Sequence, residues 1–90
     1  MARIHKRLFK IADELVALRE EEARVSAELE YHRSINDDAQ RDAVVSGANM
    51  DRLEASSTAK DVERFIKRLE QIATRRRKLE DKRASLLRRL

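Results

Sequence analysis

Two histidines and a cluster of three aspartates are the first candidates in this chain for metal-ligating chemistry, and their spacing argues against a shared site. His5 and His32 lie 27 residues apart. On one helix that is about 40 Å at the usual rise per residue, too far to hold one ion. Asp37, Asp38 and Asp42 could hold a hard cation, but on a helical hairpin they fall near the tip, where an acidic solvated surface explains them equally well. Cysteine is absent, which removes thiolate metal sites, disulfides and a cysteine nucleophile. There is no glycine-rich phosphate loop and no nucleophile–base pair at usable spacing. Two helices cannot readily exclude water around a reaction. The expectation is a non-catalytic protein with no cofactor and no metal.

The elements that would position any site follow from a seven-residue apolar repeat. Ile4, Leu8, Ile11, Leu15, Leu18, Glu22, Val25, Leu29, His32, Asn36, Ala39 and Ala43 form one run. Ala55, Thr58, Val62, Phe65, Leu69, Ile72, Arg76, Leu79, Arg83, Leu86 and Leu90 form a second. Steps of three and four alternate strictly, so each run is one narrow stripe along a long helix. The only glycine, Gly47, separates them, and proline is absent. The sequence therefore predicts an all-α fold, an antiparallel two-helix coiled-coil hairpin in a single domain. Helix one spans about residues 3–45, the turn about 46–51 and helix two about 52–90. Gly47 suits a left-handed helix stop, and Asp51 with Glu54 suits a helix cap. Ser34 and Ser57 are alternative cap positions, so a kink or fraying between residues 33 and 46 is left open.

A turn near residue 48 brings together positions whose numbers sum to about 97. In that register Glu22 meets Arg75 and Arg76, Glu14 meets Arg83, and His32 meets Phe65. Ile11 meets Leu86. A partly buried Glu22–Arg76 pair would fix the register, because a slipped alignment strands one charge.

Charged residues make up 42% of the chain and aromatics 3%, so the stripe is a small core for so many ordered residues. A further covering surface is expected. Phe9, Ala12, Val16 and Ala23 extend the apolar face of helix one to a second side, and Ile66, Ala73, Ala84 and Leu87 do so on helix two. These residues either widen the seam or form a partner-binding face, completing a four-helix bundle with a second copy or with another helical protein.

Residues 1–45 hold 8 Lys/Arg against 10 Asp/Glu, and residues 46–90 hold 13 against 7. The hairpin would gather Arg3, Lys6, Arg7, Lys10, Arg75, Arg76, Arg77 and Lys78 at its open end as a basic patch. Such a patch could contact nucleic acid in a salt-dependent, sequence-independent way. The interleaved Glu70, Glu80 and Asp81 and the lack of a stacking platform favour an acidic protein surface instead. No apolar run approaches the length of a membrane span, and the basic N-terminus lacks a cleavage-site pattern. A soluble, cytoplasmic protein is expected.

One motif carries a family resemblance. Glu22, Ser26 and Asp37 match the spacing of the helical motif E-x3-S-x2-R-x3-Q-x3-D, with Leu29 and Arg33 in its arginine and glutamine slots. On helix two, Glu70, Thr74 and Arg77 echo the first three positions, with Asp81 and Ser85 departing from the last two. The chain thus resembles the RsiG-type anti-sigma factors, antiparallel helical hairpins that use cyclic di-GMP to hold a sigma factor. The resemblance implies a transcription regulator that sequesters a sigma factor; the mismatched slots argue against cyclic di-GMP as its ligand. The functional expectation from the residues themselves is a protein-interaction module, an adaptor or regulator that binds a protein partner or forms a homodimer. The alternative is a nucleic-acid- or RNA-polymerase-associated accessory protein acting through the basic end.

Overall fold

The computed structural model describes residues 2–90. The chain folds into two helices, α1 (Ala2–Ser46) and α2 (Asn49–Arg88), packed side by side as an antiparallel hairpin. The rod measures 66 × 16 × 13 Å. Forty-five residues at 1.5 Å each give about the same length, so α1 is straight from end to end and sets the size of the molecule. The region where a kink was left open is continuous helix.

The turn is tighter than the expected 46–51: only Gly47 and Ala48 lie outside helix. Gly47 takes φ +65°, the left-handed conformation that glycine adopts without a Cβ penalty. Its N–H donates to the Ala43 carbonyl at 3.0 Å, closing α1. Ala48 then extends (φ −74°, ψ 145°) and its carbonyl accepts from Arg52 N–H at 3.1 Å, opening α2. The N-cap position thus belongs to Ala48, which has no capping side chain, and not to Asp51. Ser46 instead bridges the turn from the other helix. Its hydroxyl oxygen accepts the Ala48 N–H at 3.2 Å and its proton goes to the Asp51 carboxylate, which sits in the first turn of α2. An acidic residue there also suits the positive end of the helix dipole.

The turn is centred between residues 47 and 48, and the pairs that meet across the seam sum to between 94 and 98, around the expected 97. The Thr58 hydroxyl lies 3.0 Å from Asn36 Oδ1, and Gln40 Nε2 donates to the Ala55 carbonyl at 3.0 Å. The His32 and Phe65 rings lie 4.7 Å apart, and Arg76 donates to Glu22 at 2.8 Å. Glu14 departs from expectation: it accepts from Arg75 at 2.7 Å, not from Arg83. Glu14 stands beside the stripe rather than in it, so it reaches across one flank, whereas Arg83 leaves the seam on the other.

The seam changes character along its length. At the open end Ile11, Leu79 and Leu86 are buried, with Ile4, Leu8, Leu15 and Leu18 packed against them. On α2, Ile72, Leu79 and Leu86 are buried at seven-residue intervals, while the alternate stripe residues Arg76 and Arg83 turn outward. Toward the tip the buried residues are Ala39, Ala55 and Thr58. Small side chains let the backbones approach, and Asn36, Gln40 and Thr58 satisfy one another there.

Candidate docking surface

The two sides of the seam are built differently. Residues one heptad apart share a flank, because seven residues make almost two turns. Glu14 and Glu21 therefore stand on one flank of α1, facing Arg75 and Arg68 of α2. Arg68 Nε donates to Glu21 at 2.7 Å, and Arg75 Nε donates to Glu14 at 2.7 Å. Arg7, Lys10 and Lys82 flank the second of these pairs. This side is charged and spanned twice by interhelical ion pairs.

The opposite side carries a groove lined by Ala12, Leu15, Val16, Arg19, Glu22, Arg76, Glu80 and Arg83. Glu22–Arg76 is its one interhelical ion pair among the described residues. Both side chains are partly buried, Glu22 40% and Arg76 44% exposed. At that exposure the pair's contribution to register is close to that of a surface ion pair. Phe9, Val16 and Leu87 are each more than half exposed, and Ala12, Ala23 and Ala84 are exposed beside them. Ile66 and Ala73 are half-buried at the seam's edge, so they belong partly to the hairpin itself.

Extended along the rod, this face is a second stripe with its own alternation of three and four. On α1 it runs Phe9, Ala12, Val16, Arg19, Ala23, Ser26, Glu30, Arg33, Asp37 and Gln40. On α2 it runs Ala59, Glu63, Ile66, Glu70, Ala73, Arg77, Glu80, Ala84 and Leu87. Small residues occupy its middle, at Ala23, Ser26 and Ala73.

The basic patch survives only in part. Arg75 and Arg76 spend their guanidinium groups on Glu14 and Glu22. Arg3, Lys6, Arg7, Lys10, Arg77 and Lys78 are exposed, and none forms an ion pair among the described residues. Of the motif-spaced residues, Glu22 is engaged by Arg76, Ser26 is half-buried, and Asp37 is exposed. Asp38 of the acidic cluster pairs with Arg41 at 2.9 Å. Among the described residues no group of three His, Cys, Asp or Glu side chains is placed to hold a metal, and no helix is long and apolar enough to cross a membrane.

Sequence reasoning missed the apolar tip. Val44, Val45, Met50 and Leu53 surround the turn and are 66 to 86% exposed. The signal was present: all four are apolar residues outside the stripe, next to the loop. It also missed the Glu14–Arg75 and Glu21–Arg68 pairs, which stand one residue outside the stripe at a constant offset.

Comparison with known protein families, curated proteins and solved structures finds no match to this chain. The function must therefore be argued from these surfaces alone.

Proposed function

We propose that the chain is a non-catalytic coiled-coil interaction module, an adaptor or regulator that works in the cytoplasm by docking a protein on the face of Phe9, Ala12, Val16, Ala73 and Leu87. The observation that carries this reading is the asymmetry of the two flanks. One is spanned twice by interhelical ion pairs, while the other, crossed by Glu22–Arg76 alone, leaves Phe9, Val16 and Leu87 open beside small residues. The total surface supports it. The chain exposes 6925 Å² for a mass of 10.5 kDa, whereas a compact monomer of that mass exposes about 5,400 Å². Burying that excess is the ordinary work of an interface, and apolar area removed from water drives it.

Charged substitutions on the face test the reading without touching the seam. A Val16→Glu, Leu87→Glu double variant keeps the helical content of the parent by circular dichroism and loses the parent's bound protein, whether that is another copy or a different chain. If both proteins hold the same mass and the same co-purifying partners, the reading is wrong.

The exposed cations at the open end support a second reading, an accessory protein bound to nucleic acid or to RNA polymerase. Six of the eight patch residues remain free of carboxylates, and phosphate binding would use them directly. Salt-titrated DNA and RNA binding tests it. Loss of affinity in an Arg77→Ala, Lys78→Ala variant supports the reading, and no binding at low salt removes it.

A further inference from the structure

The docking face also says which partner fits it and which way round. We propose that it is covered by a second copy of this chain lying antiparallel, with the tip of each hairpin over the open end of the other. This rests on the reading above, and it commits that reading to a homodimer of defined geometry.

Two hairpins that bury the same face can be related by a two-fold axis along the rod or by one across it. The first arrangement stacks open end on open end. The second lays open end on tip. Residues 2–18 and 75–90, which make the open end, hold 12 Lys/Arg against 4 Asp/Glu. Residues 34–62, which make the tip, hold 3 against 6. An axis along the rod therefore sets two strongly positive ends together, and an axis across it sets each against an acidic tip. Charge complementarity selects the second.

The charged residues of the face agree. Place the axis across α2 at Ala73, a small side chain that allows close approach. Glu70 then meets Arg76 and Arg77 of the second copy, Glu63 meets Arg83, and Ala59 meets Leu87. Arg76 and Arg83 are the two stripe residues that turn out of the seam into this groove. Arg83, which forms no ion pair among the described residues, there offers its charge to the mate's Glu63, while Arg76 shares its guanidinium between its own Glu22 and the mate's Glu70. On α1 the corresponding centre falls between Ala23 and Ser26, within about two residues of the same height. There Arg19 meets Glu30, and Phe9 lies over Gln40. The same face in the other orientation gives none of these charge pairings along α2, because α2 then lies over α1.

Area is sufficient. A face 66 Å long and 16 Å wide offers on the order of 1,000 Å² per copy, against about 800 Å² per partner in a standard interface.

The absence of native cysteine makes cross-linking decisive. In the proposed dimer Ala73→Cys chains lie against each other at the axis, so mild oxidation or a short bismaleimide links nearly all of the protein into covalent dimers. Leu87→Cys chains do not link to themselves, because their positions are about 42 Å apart along the rod. They do link to Ala59→Cys chains when the two are mixed. Circular dichroism of each variant before cross-linking checks that the hairpin is intact. A dimer that links Ala73→Cys to Ala23→Cys but not to itself has the opposite orientation and overturns the proposal. A dimer with no link at Ala73→Cys overturns it equally. A chain that sediments as a monomer, while a different protein occupies the Val16 and Leu87 face, overturns the homodimer and leaves the docking reading standing.

Discussion

The two flanks of one seam share the same helices and the same water, yet only one of them is finished. On the Glu14 and Glu21 side, arginines cross to carboxylates and no large apolar side chain is left open in the groove except at its buried floor. On the Phe9 and Val16 side, Phe9, Val16 and Leu87 stand more than half exposed near the open end, with Ala12 and Ala84 exposed beside them. Small residues gather in the middle of that flank, at Ala23, Ser26 and Ala73, between charged residues. The contrast teaches that charge content does not by itself mark a solvated helix face. The apolar side chains left open beside the charges do.

Substitutions can break or sharpen that contrast, and they rank by the surface they touch. Cutting the shared seam should have the largest effect, because both flanks depend on it. Leu79, 3% exposed in the open-end cluster, should lose about 3 kcal/mol as Leu79→Ala. Urea unfolding at fixed protein concentration reads this, since association adds to apparent stability. Next is the open flank: Ala73→Glu should weaken association tenfold or more while leaving helical content unchanged, as followed by sedimentation. Third is the turn, which serves both flanks equally. Nothing lies within 4 Å of a Cβ added at Gly47, so Gly47→Ala costs only its left-handed backbone, about 1 kcal/mol. Smallest is the closed flank. Arg68→Gln removes an exposed interhelical ion pair and should cost less than about 0.5 kcal/mol with no change in association. A loss of association there as large as for Ala73→Glu would erase the distinction between the flanks.

Much of this was legible in the residues. The heptad stripes, the single glycine and the lack of proline specify two long helices and a turn, because nothing else satisfies that many apolar positions at spacing three and four. The pairs His32–Phe65 and Glu22–Arg76 follow from folding that pattern back on itself. What failed was local. Asp51 has the chemistry of a cap, but Gly47 closes α1 so abruptly that α2 starts two residues before it, and Ser46 and Asp51 instead bridge the turn. Glu14 pairs with Arg75 because a long arginine side chain reaches diagonally, a freedom that a one-to-one register ignores. The quartet at the tip, Val44, Val45, Met50 and Leu53, lies off the heptad stripe beside the turn, where the repeat does not distinguish an exposed apolar side chain from a packed one. On the docking face, Phe9, Val16 and Leu87 stand open, while Ile66 and Ala73 are half-buried by their own helices. The sequence marks all five as apolar and off the stripe and does not separate them.

The most specific claim made for the open flank is that a second copy of the chain covers it. Sedimentation velocity of the parent and of Ala73→Glu across low to high micromolar concentration, with thermal melting of the same samples, tests it most directly. The account predicts that the parent sediments at twice the 10.5 kDa chain mass with a melting temperature that rises with concentration, and that the variant sediments as a single chain. A parent that stays monomeric, fully helical and equally stable at every concentration would contradict it.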